Sequence, residues 1–226
     1  MLQWLLVGLL CLLAASSLPA AASQTRENPT ILVMGDSISA AYGIQRDQGW
    51  VTLLAEALTA AEYPHQVINA SISGETTSGG LARLPQALET HDPAIVVIEL
   101  GGNDGLRGYP TDTVRENLRK MVELVLQQGR EVVLVGMQIP PNYGPRYTRA
   151  FFGMYETIAR EMEVTLVPFF LEQVALVPGL MQDDGIHPTA EAQPLLLDTL
   201  WRYLEPHLEA HLEPHLEAHL EPLIAP

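Results

Sequence analysis

The sequence predicts an α/β fold, in which a three-layer α/β/α sandwich is built around a parallel sheet of five strands. Short runs of aliphatic and β-branched residues alternate along the chain with longer segments of helical periodicity, the pattern of strands joined by crossover helices. One run, residues 94–100, is almost continuously apolar, as expected for a strand that helices cover on both faces. Right-handed crossovers favour a doubly wound sheet with the strand order 2-1-3-4-5.

The predicted strands are the short apolar runs. In chain order they are residues 30–34, 67–69, 94–100, 131–137 and 164–167.

The predicted helices come from apolar residues that recur at intervals of three and four, so that they share one helical face. The third helix shows this most clearly, with Val114, Leu118, Met121 and Val125 on one stripe and Gly129 as its C-cap. In chain order the predicted helices are residues 50–61, 81–91, 111–128, 149–163 and 189–204.

The composition limits the number of domains and the class of partner. About 180 of the 226 residues remain when the two atypical ends are set aside, which is enough for one α/β domain with a substantial core. The formal net charge is −15, from 12 basic and 27 acidic residues, and no basic patch is visible. We therefore expect no binding to nucleic acid through phosphate neutralisation.

The N-terminal segment is typical of an export signal. Residues 2–15 are apolar or small apart from Gln3, their apolar core is too short for a comfortable membrane span, and residues 20–22 form an A-x-A-like cleavage site. We predict a signal peptide over residues 1–22, a loose leader over residues 23–29, and an exported protein, periplasmic or secreted, without a stable membrane span. An uncleaved anchor is the alternative, because no Lys or Arg precedes the apolar run.

The only cysteine, Cys11, lies inside the predicted signal peptide, and Leu10 precedes it where lipoprotein processing would need a small residue. The mature protein would then have no thiol. We therefore expect neither a disulfide nor thiolate chemistry.

The C-terminal segment, residues 205–226, repeats the unit Glu-Pro-His-Leu-Glu-Ala-His-Leu. Its histidines recur every four residues, which suits one helical face and raises the hypothesis of a metal site; they are His207, His211, His215 and His219. Its prolines each remove a helix hydrogen bond and oppose a continuous helix; they are Pro206, Pro214 and Pro222. The favoured interpretation is a low-complexity tail without a packed core, so we expect the domain to span residues 30–204 and give the tail no catalytic role.

Four turns that follow predicted strands carry residue types suited to catalysis. Ser37 follows the first strand, Gly74 the second and Asn103 the third, and the last turn holds Asp184 and His187. Because equivalent ends of parallel strands lie at one edge of a sheet, these residues can converge. Each also has a structural interpretation, as a helix cap, a turn residue or a surface histidine. Their combination in this order favours a catalytic site.

This combination resembles the GDSL/SGNH hydrolase superfamily, whose four sequence blocks centre on Ser, Gly, Asn and His. The matching stretches are Gly35-Asp36-Ser37, Ser73-Gly74-Glu75, Gly101-Gly102-Asn103-Asp104 and Asp184-Gly185-Ile186-His187-Pro188. Residues 69–74, 80–85, 99–108, 142–144 and 181–188 further resemble the bacterial periplasmic thioesterase I / lysophospholipase / arylesterase group. The resemblance spans roughly residues 30–204, excludes the repeat tail, and implies a flavodoxin-like arrangement of the sheet.

For the catalytic residues, the resemblance implies Ser37 as the nucleophile, His187 as the general base and Asp184 as the group that orients the imidazole. Such chemistry is plausible because a serine hydroxyl is a weak nucleophile until an imidazole accepts its proton. Asp183 is a rival for the orienting role, and only the D-x-x-H spacing of the family selects Asp184.

For the oxyanion hole, the resemblance implies the backbone N–H groups of Ser37 and Gly74 and the side-chain amide of Asn103. Donors of this kind stabilise the negative charge that develops on the substrate oxygen.

For the reaction, the resemblance implies a serine esterase of broad acyl specificity that hydrolyses acyl thioesters, lysophospholipids and aryl esters through an acyl-enzyme. It implies small-molecule substrates, no metal, no organic cofactor and no obligate protein partner. Leu106, Tyr109, Ile139 and Pro140 are expected to line the substrate site and favour an apolar acyl chain over a sugar. A carbohydrate O-deacetylase on the same framework is the alternative.

Two other classes of protein fit less well. An α/β-hydrolase needs a G-x-S-x-G turn, but Ser39 stands where the last glycine would be. A non-catalytic flavodoxin-like binding module would hold phosphate in the Ser37 loop, but Asp36 places a carboxylate there that would repel the phosphate.

Overall fold

The sheet contains five parallel strands in the order β2-β1-β3-β4-β5, which confirms the predicted topology. The computed structural model describes residues 28–224, with side chains described for residues 28–212. The predicted signal peptide and residues 23–27 of the predicted leader lie outside these residues. The strands are β1 (Thr30–Gly35), β2 (Gln66–Asn69), β3 (Ile95–Glu99), β4 (Glu131–Val135) and β5 (Thr165–Val167).

The helices lie in two layers, since α1 contacts α6 on one side of the sheet, while α4 contacts both α2 and α5 on the other. They are α1 (Trp50–Ala60), α2 (Thr77–His91), α3 (Gly102–Leu106), α4 (Thr111–Leu126), α5 (Pro145–Met162) and α6 (Gln193–Ile224). Single 3₁₀ turns occupy Arg46–Gln48, Pro141–Tyr143 and Ala190–Ala192.

The core is centred on β1, β3 and β4, the three strands that have neighbours on both sides. All five residues of β3 are buried, because helices cover both of its faces. Four of those residues are aliphatic, and the fifth, Glu99, carries the only ionisable side chain of the strand. The apolar run therefore predicted the strand correctly, but it gave no reason for a buried carboxyl at the strand end.

Helix α2 begins at Thr77, four residues before its predicted start at residue 81. The Thr76 side chain accepts a hydrogen bond from the Gly79 N–H and so caps the helix. The extra turn contains Ser78, Gly79 and Gly80, which have little apolar character, so periodicity alone missed it. Helix α5 also begins early, with Pro145 in its first turn, a position that needs no backbone N–H.

Helix α6 continues through Pro206 into the repeat segment, so the prediction that the domain ends at residue 204 and that the repeat lacks a packed core is wrong for residues 205–212. A proline in a helix interior costs about 3 kcal/mol. Burial of Leu208, which is 0% exposed, returns about 1.5–3 kcal/mol. Hydrogen bonds from His207 and His211 to Glu131 add to this stabilisation. Long-range packing therefore outweighs the local effect of the proline.

Within the described part of the chain, no group of three or more His, Cys, Asp or Glu side chains could hold a metal ion, although His207 and His211 both contact Glu131. The side chains of His215 and His219 fall outside this part. No helix in it is both long and apolar enough to cross a membrane.

Candidate active site

The turn after β1 places Ser37 at the C-terminal edge of the sheet, with its side chain largely buried. Two contacts attach the turn to the neighbouring strands β2 and β3. The Ser39 hydroxyl lies 2.6 Å from Glu99 Oε2, and the Asn69 side chain donates to the Ser39 carbonyl at 2.8 Å. Gly35 is required here, because a Cβ at this position would lie 2.6 Å from Ser39 Oγ and 2.8 Å from Glu99 Oε2.

Ser37, His187 and Asp184 are connected by two hydrogen bonds. His187 Nε2 lies 2.9 Å from Ser37 Oγ, and His187 Nδ1 lies 2.6 Å from Asp184 Oδ2. A carboxylate can only accept, so we assign the imidazole proton to Nδ1. Nε2 then carries the lone pair, and it points at the hydrogen of the serine hydroxyl. The arrangement can therefore move a proton from Ser37 to His187.

Asp184 is held in its ionised form by its own loop. Its Oδ1 accepts hydrogen bonds from the N–H groups of Ile186 at 2.9 Å and His187 at 3.0 Å. These bonds, led by that from the His187 N–H and joined by the contact with the imidazole, lower the pKa of Asp184 to about 2. Asp184 makes the contact with His187 Nδ1, although it and the rival Asp183 are both exposed.

The loop that carries His187 is fastened to the serine turn by Gln182, which the sequence analysis did not single out. The Gln182 side-chain amide donates to the carbonyls of Tyr42 at 2.8 Å and Pro188 at 2.9 Å. The Tyr42 ring also packs against the His187 ring, with centroids 4.4 Å apart. Gln182 and Tyr42 are 140 residues apart, so no local pattern indicates this contact.

Asn103 lies in the first turn of α3, beside the serine turn. Its Nδ2 donates to Asp36 Oδ2 at 3.0 Å, which fixes the orientation of the amide. Gly101, just before α3, has a φ of +113°, and a Cβ there would lie 2.3 Å from Tyr155 Oη. Glycine is thus the residue that allows α3 to start at this point.

Gly74 lies in the loop after β2, the strand next to β1. This loop runs along the serine turn, since the Ile72 N–H donates to the Gly35 carbonyl at 3.1 Å. Gly74 has a φ of +80°, in the left-handed region that favours glycine. The Arg107 guanidinium donates to the Gly74 carbonyl at 3.2 Å and so joins this loop to the end of α3.

Two carboxyl groups, Asp36 and Glu99, are buried beneath the serine and were not predicted as part of the site. Burial raises the pKa of Asp36 to about 6, although hydrogen bonds from the Ile38 N–H and the Asn103 amide work in the opposite direction. Burial, and then the charge of Asp36, raises the pKa of Glu99 well above its ordinary value. Glu99 lies opposite Gly35 in the β1–β3 register, which brings the two groups together.

The residues predicted to line the substrate site occupy different environments. Ile139 is buried directly beneath α3, since a Cβ on Gly105 would lie 2.6 Å from Ile139 Cγ2. Leu106 is half-buried, while Tyr109 and Pro140 are exposed.

Two tyrosines missed by the sequence analysis join the loops that carry these residues. The Tyr143 hydroxyl donates to the Leu106 carbonyl at 2.7 Å, and the Tyr147 hydroxyl donates to the Tyr109 carbonyl at 2.6 Å.

Comparison with known proteins agrees with this geometry. Residues 33–194 match the profile of the GDSL-like Lipase/Acylhydrolase family. The chain is 54% identical over 179 residues to Esterase TesA of Pseudomonas aeruginosa, covering 79% of this chain and 89% of that protein. It is 44% identical over 177 residues to the "Thioesterase 1/protease 1/lysophospholipase L1" of Escherichia coli K12, covering 78% and 84% respectively.

A solved structure shows the same fold. The psychrotrophic esterase EstA from Pseudoalteromonas sp., inhibited by monoethylphosphonate, superimposes with a TM-score of 0.76 at 42% identity, covering 80% of this chain and 98% of that one.

Proposed function

The chain belongs to the GDSL-like lipase/acylhydrolase family and is a hydrolase of ester bonds, and from this premise we propose that it is a serine esterase of broad acyl specificity. Ser37 is the nucleophile, His187 the general base and Asp184 the residue that orients the imidazole. The observation that carries the proposal is the pair of hydrogen bonds that joins these three side chains at 2.9 Å and 2.6 Å.

In the acylation step, Ser37 Oγ attacks the carbonyl carbon of the ester while its proton passes to His187 Nε2. The Asp184 carboxylate stabilises the imidazolium that forms. The tetrahedral intermediate collapses, and the leaving alcohol or thiol takes the proton from Nε2. In deacylation, Nε2 removes a proton from water, the hydroxide attacks the acyl-enzyme, and Ser37 Oγ leaves with that proton. No step calls for a metal or an organic cofactor.

The developing oxyanion is stabilised by the N–H groups of Ser37 and Gly74 and by the amide of Asn103. Asp36 accepts one hydrogen of the Asn103 amide, which leaves the other hydrogen for the substrate. The removal of one such donor typically costs about 2.7–4 kcal/mol of transition-state stabilisation.

The substrates are small acyl esters and thioesters, including lysophospholipids. Two features support this range. The relatives are named esterase and thioesterase/lysophospholipase. The apolar side chains of Leu106 and Ile139, with Tyr109 and Pro140 at the surface, favour an acyl chain.

A phosphonate offers a direct test. The related EstA structure is described as inhibited by monoethylphosphonate, whose tetrahedral phosphorus resembles the intermediate of ester hydrolysis and not the planar ester. We expect a fluorophosphonate probe to label the wild-type protein and not Ser37→Ala. Intact-protein mass spectrometry measures the adduct. Equal labelling of the variant would rule out Ser37 as the nucleophile.

A substrate panel tests the acyl specificity. Acyl-CoAs, p-nitrophenyl esters of increasing chain length and acetylated sugars are compared at equal concentration. We expect turnover of the first two classes. A preference for acetylated sugars would instead assign the protein as a carbohydrate O-deacetylase.

We further propose that the protein is exported, periplasmic or secreted, with residues 1–22 removed, residues 23–29 as a leader and the hydrolase domain beginning at residue 30. The support is the apolar segment and its A-x-A-like site. N-terminal sequencing of the purified native protein checks this, since a start at Met1 would indicate the uncleaved anchor.

A further inference from the structure

The two donors of the oxyanion hole that lie outside the serine turn come from separate loops, and a buried carboxylate joins those loops. Asp104 follows Asn103 and is 1% exposed; Thr77 lies three residues after Gly74 and is 0% exposed. Asp104 Oδ2 accepts the Thr77 N–H at 2.9 Å, and Asp104 Oδ1 accepts the Thr77 hydroxyl at 2.7 Å.

We propose that Asp104 is a positioning residue for the oxyanion hole. Its contact with Thr77 fixes the position of the Gly74 loop relative to the turn that carries Asn103. The inference rests on the proposed function, since it assumes that Gly74 and Asn103 stabilise the same oxyanion. It assigns to Asp104 a role through its neighbours, without contact with the substrate.

Each polar atom of the contact has a hydrogen-bond partner. The Thr77 hydroxyl donates to Asp104 and accepts from the Asn117 side chain at 3.1 Å. Asp104 also lies at the N-terminus of α2, where the helix dipole and the free N–H groups favour a negative charge.

Other contacts on the two loops are weaker or act on one loop alone. The Arg107 contact with the Gly74 carbonyl is exposed, so water competes with it. Asp36 orients the amide of Asn103 from the serine turn. The Asp104–Thr77 contact is thus the buried connection between them. An error of about 1 Å in the placement of catalytic groups can cost about 100-fold in rate.

A simpler role for Asp104 would be to cap α2 and stabilise the fold. The two roles predict different kinetics. A cap alone lowers the melting temperature and leaves the folded enzyme fully active. A positioning residue lowers kcat of the folded enzyme with little change in KM, because the oxyanion is present in the transition state and not in the bound ester.

The test removes the hydroxyl at Thr77 and keeps the shape of the side chain. We expect Thr77→Val to lower kcat on a p-nitrophenyl ester by about 10- to 100-fold, with KM within about 2-fold. Thr77→Ser, which keeps the hydroxyl, should restore kcat to within about 3-fold of wild type. If Thr77→Val does not fold, Asn117→Ala takes its place. It removes the second partner of the same hydroxyl and should give a smaller loss of kcat.

A matched control lies far along the chain. Thr165→Val makes the same substitution at a threonine whose hydroxyl contacts His207, and it should leave kcat unchanged. Wild-type kcat in folded Thr77→Val or in Asn117→Ala would overturn the proposal. Ser37→Ala is measured beside them: activity that survives in Ser37→Ala contradicts the proposed function, whereas its loss together with full activity in the Thr77 variant contradicts only the role of Asp104.

A double-mutant cycle with Asn103→Ala gives an independent readout. If Asp104 and Thr77 act by aligning Asn103 with Gly74, Thr77→Val should cost clearly less once Asn103 is gone, and the two losses should fail to multiply. Losses that multiply would show that Thr77 acts on the fold independently of the oxyanion hole, and would also overturn the proposal.

Discussion

Two series of side chains in this protein have the same chemical order, carboxylate to imidazole to hydroxyl. One is Asp184–His187–Ser37. The other links Glu131 to His207, whose Nε2 lies 2.8 Å from the Thr165 hydroxyl. Only the first series is proposed to be catalytic, so hydrogen bonding alone does not distinguish a nucleophile from a structural hydroxyl.

The difference lies in which edge of the sheet holds each series. Ser37 follows the end of β1, and Asn103 lies in the first turn of a helix, where free N–H groups can stabilise an oxyanion. Glu131 and Thr165 are the first residues of β4 and β5 and follow the C-terminal ends of helices α4 and α5. The partial negative charge at those helix ends would oppose an oxyanion. The same three groups therefore stabilise the fold at one edge and can do chemistry at the other.

Both ring nitrogens of each histidine in the second series have a partner within the protein. His211 Nε2 lies 2.8 Å from Glu131 Oε1, and its Nδ1 lies 3.0 Å from His65 Nε2. Because Glu131 only accepts, both histidines donate to it, and their other nitrogens contact Thr165 and His65. The cluster of Glu131, His207, His211, Thr165 and His65 thus attaches α6 to the sheet.

The largest contrast should come from removal of the two hydroxyls. Ser37→Ala should lower kcat by about 10⁶-fold, as for triads in general. Thr165→Ala should leave kcat within about 2-fold of wild type and lower the free energy of unfolding by about 0.5–1.5 kcal/mol, the loss of one hydrogen bond. Steady-state kinetics and urea unfolding measure the two effects. A large loss of kcat in Thr165→Ala would show that the series are not functionally distinct.

The second-largest contrast between the two series should come from replacement of each carboxylate by an amide. Asp184→Asn should lower kcat by about 10⁴-fold, because the amide favours the wrong tautomer of His187. Glu131→Gln should keep kcat and lower the free energy of unfolding by about 1–3 kcal/mol. The glutamine NH₂ group would face His207 or His211 and cannot accept its hydrogen, so that histidine would lose its hydrogen bond to residue 131. Unchanged stability in Glu131→Gln would mean that the cluster does not hold α6.

The packing of α6 itself should affect stability and leave kcat unchanged. Leu208→Ala should lower the free energy of unfolding by about 2–5 kcal/mol, because Leu208 is fully buried. The exposed Glu209→Ala is the matched control on the same helix. If both variants unfold at the same urea concentration, residues 205–212 do not pack against the domain in solution.

The smallest expected effect is the pH dependence of the cluster. Burial raises the pKa of Glu131, but hydrogen bonds from His207 and His211 outweigh it and lower the pKa to about 2. A lowered pKa contributes stability above the ordinary pKa of a glutamate, near 4.5, and this contribution is lost as the pH falls toward about 2. The difference in melting temperature between wild type and Glu131→Gln should therefore shrink from pH 5 to pH 2. A difference that is constant over this range would contradict the assignment.

The strands, their order and the residues of the first series could be predicted because each leaves a local pattern. Apolar runs such as residues 94–100 mark buried strands, and Ser37 and His187 stand in short motifs after strands. The second series left no such pattern, since Glu131 and His207 are 76 residues apart. The sequence analysis ended the last helix at residue 204, since Pro206 opposes a helix, but α6 continues past it. The burial of Leu208 could not be foreseen, because it depends on a surface that only the folded sheet provides.

The same limit applies to the contacts that hold the site. Asp104 and Thr77 are 27 residues apart, and Ser39 and Glu99 are 60 apart. Register between strands brings such pairs together, and register follows from the whole sheet. Motifs therefore predicted the groups that we propose to react, while the groups that hold them became visible only in three dimensions.

The loop that carries Asp184 and His187 also affects how the enzyme would lose activity on heating. Asp184 and His187 are three residues apart and their contact is local, whereas the contact between His187 and Ser37 spans 150 residues. Opening of this loop alone would separate the proposed base, His187, from the proposed nucleophile, Ser37, while leaving the sheet intact. We therefore expect thermal inactivation to precede global unfolding, with hydrogen exchange at the Gln182 N–H, which donates to the His187 carbonyl at 2.7 Å, reporting the opening.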